Sequence, residues 1–134
     1  GLGDVYKRQK MYISIDFNSD EAIYIQLCHQ IIMSIANDDI HEGDSLPSVR
    51  QMAEDIGINM HTVNKAYTIL KQEGYIKLDR RYGAVIAVDA DKIEAMESLS
   101  RDLRVSIAKA MCKDITSAEI HALVDDIISE FGIK

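Results

Sequence analysis

Proline occurs once in the 134 residues, at Pro47, and cysteine twice, at Cys28 and Cys112. Two cysteines without metal-ligand spacing build neither a disulfide framework nor a zinc site, so both are expected to be unpaired, as suits a reducing compartment. No run of about 18 apolar residues is present, which excludes a membrane-spanning helix of ordinary length. Catalytic signatures are missing too: no nucleophile–base pair, phosphate-binding glycine loop or paired-carboxylate motif stands out, so the chain is not read as an enzyme. His29, His41, His61 and His121 are scattered. Only His121 and Asp125, one helical turn apart, could ligate a metal, and a solvated helix face explains them better. Internal repeats and low-complexity tracts are absent. No cofactor and no metal are therefore expected, and no small-molecule effector is legible.

Positive charge is also scarce. The chain carries 15 Lys and Arg against 22 Asp and Glu, a net charge of −7. Taken alone this argues against a nucleic-acid partner, because phosphate binding needs cations. The distribution matters more. Residues 11–42 hold six acids and no Lys or Arg, residues 43–88 hold six bases against five acids, and residues 90–134 hold six bases against nine acids. The middle is the one stretch of the three that is not acidic, and its bases gather late, at Lys65, Lys71, Lys77, Arg80 and Arg81.

Residues 1–10 lack the apolar core of a secretory signal and precede Met11. They are expected to be a non-native leader and are set aside from the fold. From Met11 to Phe17 the alternation of Ile13, Ile15 and Phe17 with polar residues predicts a short strand or extended arm. A helix is predicted from about Asp20 to Asn37, with Tyr24, Leu27, Cys28, Ile31 and Ile35 on one face. Residues 41–47 then break the periodicity with Gly43 and Pro47. Ser48 and Gln51 have the spacing of a capping box and start a short helix with Val49, Met52, Ala53 and Ile56 inward; Gly57 suits its left-handed end. Asn59 is placed to cap a further helix carrying Val63, Ala66, Tyr67 and Leu70, which stops at Gly74. Two helices joined by a three-residue turn make a helix-turn-helix. Two β-like runs follow, 75–78 and 84–88, joined by Asp79-Arg80-Arg81-Tyr82-Gly83, and read as a hairpin with a basic tip: a wing.

Beyond residue 90 two more helices are predicted. The first carries Ile93, Met96, Leu99, Leu103, Ile107 and Ala110 as a seam up to about Cys112. The second opens on the box Thr116 to Glu119, stapled by Ile115 and Ile120, and continues through Leu123, Val124, Ile127, Ile128 and Phe131. The fold class is thus mainly α with a small β-wing. Residues 11–89 form a winged helix-turn-helix for DNA and residues 90–134 a two-helix hairpin for dimerisation.

The combination in residues 46–88 is more specific than its parts. Leu46-Pro47-Ser48-Val49-Arg50-Gln51-Met52-Ala53, then Gly57-Ile58-Asn59, Thr62-Val63, Lys65-Ala66-Tyr67, Leu70 and Glu73-Gly74-Tyr75-Ile76 resemble the GntR family of winged-helix regulators. The short helical tail resembles its YtrA-like subfamily. The resemblance covers residues 20–88 closely and the tail by length and helicity. It implies a cytoplasmic repressor-type homodimer, whose second motif helix enters the major groove of double-stranded operator DNA while the wing reaches the minor groove. Carried over, it implies contacts from Arg50 on the first motif helix and from Asn59, His61, Thr62, Asn64 and Lys65 at the start of the recognition helix. The wing tip supplies Arg80, Arg81, Tyr82 and Gly83, and Ser48 can offer a backbone N–H to phosphate. The chain departs from common members at Met60, His61 and Asn64. The missing arginine there removes the commonest reader of guanine.

Leu99, Leu103, Ile107, Ile120, Val124, Ile127 and Phe131 exceed what a two-helix hairpin can hide by itself. They must cover each other, the winged helix or a second subunit, and a symmetric dimer on an inverted-repeat operator is the expected solution. The rival reading is a winged-helix adaptor that docks a protein partner, favoured by the acidic total charge and separable by salt dependence.

Overall fold

The computed structural model describes residues 13–132. The expected leader and the first residues of the arm, Met11 and Tyr12, lie outside the described residues. The chain divides into two compact units, one ending at Asp89 and the other starting at Ala90.

In the first unit three helices precede a hairpin: α1 (Ile23–Ala36), α2 (Val49–Ile56), α3 (Met60–Gln72), β1 (Ile76–Asp79) and β2 (Gly83–Ile86). The arm before α1 is extended but is no strand. Its main chain bonds to side-chain amides of α1: Ser14 N–H donates to Gln30 Oε1 at 2.8 Å and Asp16 N–H to Gln26 Oε1 at 2.9 Å, while both amide nitrogens donate back to the arm's carbonyls. Ile13 and Ile15 pack on the core, as the alternation predicts, whereas Phe17 is exposed. The helix starts at Ile23 rather than Asp20. Asp16 and Ser19 accept from the N–H groups of Asn18 and Glu21, and such local bonds compete with helix formation.

The helix-turn-helix forms at the residues the sequence singles out. Ser48 Oγ accepts from Gln51 N–H at 3.1 Å, but the reciprocal half of the expected capping box is missing. Gln51 Nε2 instead donates to Asp55 Oδ1, one turn on, at 2.9 Å. Gly57 ends α2 with φ +81°, and the N–H groups of Gly57 and Ile58 both donate to Ala53 O. Asn59 Oδ1 then caps α3 by accepting from His61 N–H at 2.7 Å.

One apolar core unites these elements. Leu27, Cys28 and Ile31 of α1 meet Met52 and Ala53 of α2, and Val63, Ala66, Tyr67 and Leu70 of α3, with Ile40, Leu46, Ile76, Ala84 and Ile86 completing it. Each large aliphatic side chain buried here contributes about 1.5–3 kcal/mol. Polar ties cross the core: Cys28 Sγ donates to Ala66 O at 3.4 Å and Tyr67 Oη to Pro47 O at 2.7 Å. Burial, with the Glu73 charge adding to it, pushes the Cys28 thiol up to about 11.

The hairpin is antiparallel, pairing Ile76 with Ile86 and Asp79 with Gly83. Residues 43–46, expected as a plain break, run against β2 as a third edge. Ser45 bridges Val85, Gly43 N–H donates to Ile86 O, and Leu46 N–H donates to Ala84 O. At the tip, Asp79 Oδ1 accepts from the N–H groups of Arg81 and Tyr82 at 2.7 and 3.1 Å, and Gly83 takes φ +71°.

The second unit is a pair of helices, α4 (Lys92–Cys112) and α5 (Ser117–Glu130). Asp91 caps α4 by accepting from Glu94 N–H, and the predicted box at α5 forms completely between Thr116 and Glu119. The Thr116 backbone N–H and hydroxyl hold the Glu119 carboxyl below the usual carboxylate range. No residue of either helix is buried. Met96, Leu99, Leu103 and Ile107, with Ser100 and Arg104, line a groove of about 400 Å³ along α4. Among the described residues no helix is long and apolar enough to cross a membrane, and both cysteines are free, Cys28 buried and Cys112 exposed.

Candidate nucleic-acid interface

The amphipathic period of α3 determines what it can present. With Val63, Ala66, Tyr67 and Leu70 inward, His61, Asn64 and Lys65 fall on the opposite, exposed face. Thr62 departs from expectation. It lies about 200° around the helix from Asn64, at roughly 100° per residue, and is half-buried rather than exposed. Thr68, one turn beyond Asn64, is exposed on the same face and stands outside the expected contact set, although its i+4 spacing from Asn64 is visible in the sequence. Its hydroxyl donates to Asn64 O at 2.8 Å.

The start of α3 and the start of α2 enclose a concavity of about 670 Å³, lined by Val49, Asn59, Met60, His61 and Asn64. Three expected contact residues are therefore brought together there, beside two apolar residues not counted among them. Ser48 and Arg50 flank Val49 and are exposed. The Ser48 oxygen accepts in the cap, which leaves its hydroxyl proton, beside the backbone N–H, to donate to a phosphate. None of α1, α2 and α3 carries an acid in its first turn, so the positive ends of the two motif helices are left uncompensated.

Lys65 is held from α1. Its Nζ lies 4.0 Å from the centroid of the Tyr24 ring, a cation–π contact that fixes a long, flexible side chain. Arg80, Arg81, Tyr82 and Gly83 are all exposed at the wing tip. The Asp79 carboxylate turns Oδ1 to the tip's backbone, and among the described residues no arginine is held in an ion pair.

A helix-turn-helix that presents an exposed polar helix face and continues into a basic hairpin is a winged helix, a DNA-binding class. Comparison with known proteins gives the family. The model for bacterial regulatory proteins of the gntR family matches residues 23–86. The HTH-type transcriptional repressor YtrA of Bacillus subtilis is 31% identical over 121 residues, 88% of this chain and 93% of that protein. Among solved structures, YtrA from Sulfolobus acidocaldarius, a GntR-family transcription factor, is 38% identical with a TM-score of 0.63, over 75% of this chain and 97% of that one. A transcriptional antiterminator from Listeria monocytogenes EGD-e is 26% identical with a TM-score of 0.82, over 92% and 94% of the two chains. The chain belongs to the GntR family, in its YtrA-like subfamily, and is a DNA-binding transcription regulator rather than an enzyme.

Proposed function

We propose that the protein is a cytoplasmic repressor that binds an inverted-repeat operator as a homodimer, with residues 11–89 on the DNA and residues 90–134 joining the subunits. The observation that carries the dimer is the second unit, where two capped helices bury no residue while Leu99, Leu103, Val124 and Ile127 stay exposed. Apolar surface of that extent favours a second copy. A repressor outcome is supported by the name of the Bacillus subtilis relative.

In this reading the recognition helix α3 enters the major groove with His61 and Asn64 toward base edges, Thr62 at the margin, and Asn59 at the leading end. Arg50, Lys65, Arg80 and Arg81 meet phosphates, the Ser48 N–H adds a neutral contact, and Tyr82 and Gly83 let the tip approach closely. Leu99, Leu103, Ile107, Ile120, Val124, Ile127 and Phe131 form the subunit contact. Doubling a weakly binding module supplies affinity and specificity together. DNA selected from a random pool should carry two-fold symmetry, and the full chain should have the mass of a dimer by light scattering. A monomer that binds half-sites and full sites equally would overturn the reading. Binding insensitive to added salt would point to a docked protein instead.

A further inference from the structure

The concavity between α2 and α3 contains something a phosphate-binding surface does not call for. Met60, the first residue of α3, is 45% exposed, and with Val49 it gives the hollow an apolar wall. The other lining residues are Asn59, His61 and Asn64, and none is Lys or Arg. Asn59 has already committed its carbonyl oxygen to the cap of α3, so Asn64 is the side-chain amide left with both a donor and an acceptor to offer.

Base pairs differ in what they would offer such a hollow. Guanine presents two acceptors, best met by the cation that is missing here. Adenine presents an adjacent acceptor and donor, which a side-chain amide matches in pairs, and thymine alone of the four ordinary bases presents a methyl group. A methionine suits that methyl: its unbranched, polarizable side chain adapts to a small apolar group without a preformed socket. Resting on the DNA-bound dimer of the preceding section, we propose that this concavity takes the major-groove edge of an A·T pair, with the thymine methyl against Met60 and Val49 and the adenine edge on Asn64.

The test removes the methyl without touching a hydrogen bond. An operator is selected from random DNA with the full-length protein, and each thymine is replaced in turn by uracil. One position in each half-site should lose about three- to fivefold in affinity, the worth of one buried methyl group. Met60→Ala should bind the thymine and uracil operators equally, while Met60→Leu should keep the discrimination. Uniform tolerance of uracil would overturn the proposal, as would a Met60→Ala loss of equal size on both operators, which would make Met60 merely structural. A selected sequence without two-fold symmetry would overturn the dimer, and the uracil comparison on that sequence would still decide the fate of Met60.

Discussion

The two units solve the burial problem in opposite ways. In the first, every core residue from Leu27 to Ile86 is enclosed, and elements far apart in sequence are tied by polar side chains: Gln30 to Ser14, Cys28 to Ala66, Tyr67 to Pro47, Glu42 to the Val88 N–H. In the second, nothing is buried, and among the described residues every side-chain hydrogen bond spans three residues: Asp91 with Glu94, Thr116 with Glu119, Asp126 with Ser129. The charges differ as well. Glu94 and Glu119 satisfy the first turns of α4 and α5, whereas α2 and α3 have no such acid. The first unit is finished as a fold and open toward an anion. The second has well-made helix ends and an unfinished face.

One cysteine in each unit reports on this difference, and the largest effect is expected there. Cys112 should react promptly with a thiol reagent. Cys28 should react at least about a thousandfold more slowly at neutral pH, because it is enclosed and little of it is thiolate until the unit opens. Prompt labelling of both would mean the first unit is not closed. The raised pKa has a signed consequence. Burial of the neutral thiol contributes stability that is fully present below the unfolded value, about 8.5, and is lost as pH rises toward about 11. The stability of wild type should therefore fall relative to that of Cys28→Ala across that window, and wild type should denature more readily in alkali.

The next effect belongs to the unfinished face. Leu103→Asp with Ile107→Asp places charge in the middle of the α4 groove. Light scattering should then report half the mass, circular dichroism should show the helices retained, and operator affinity should fall by about 10²–10³ as the paired sites become independent. An unchanged mass would move the subunit contact elsewhere. Smaller again, Arg80→Ala with Arg81→Ala should reduce the slope of log affinity against log salt by about two, on specific and random DNA alike. A full slope would take the wing away from the phosphates.

Elements whose signal is local are legible in the amino-acid sequence. Gly57 in the left-handed turn, the Asn59 cap, the Thr116 box and the inward stripe of α3 each depend on residues within a turn of one another. What is not legible depends on partners far away in the chain. The alternation of Ile13 and Ile15 allows a strand or an extended arm and does not choose between them; the choice is made by side-chain amides of α1, 10 and 16 residues on, which take the place of a neighbouring strand. The 43–46 edge reads as a break because nothing in Gly43-Asp44-Ser45-Leu46 announces β2, some 40 residues later. At the candidate interface the exposed residues of α3 follow from its period. The place of Thr62 on the margin follows from the same period, once the inward stripe rather than the family motif decides which face is out. Met60 stands out in the sequence only for the residue types it replaces; that it shares a hollow with Val49 needs two helices in three dimensions.

The smallest effect tests whether long-range ties in the first unit reach its function. Tyr24 touches no DNA in the proposed complex, but its ring lies under the Lys65 ammonium. Holding that charge in place spares the entropy of ordering a lysine at the moment of binding, and a contact of this kind is worth about 0.5–1 kcal/mol at an exposed site, or roughly two- to fivefold in affinity. Tyr24→Phe keeps a ring face and should bind as wild type does. Tyr24→Leu keeps the partial burial on the core but removes the ring's negative face, and should lose that two- to fivefold on every DNA sequence, because a phosphate contact carries no base preference. The same Tyr24→Leu change made in Lys65→Ala protein should have no further effect on binding, since its target is already gone. Equal losses in both backgrounds would mean that Tyr24 supports the fold alone, and that the polar ties of the first unit stop at its core.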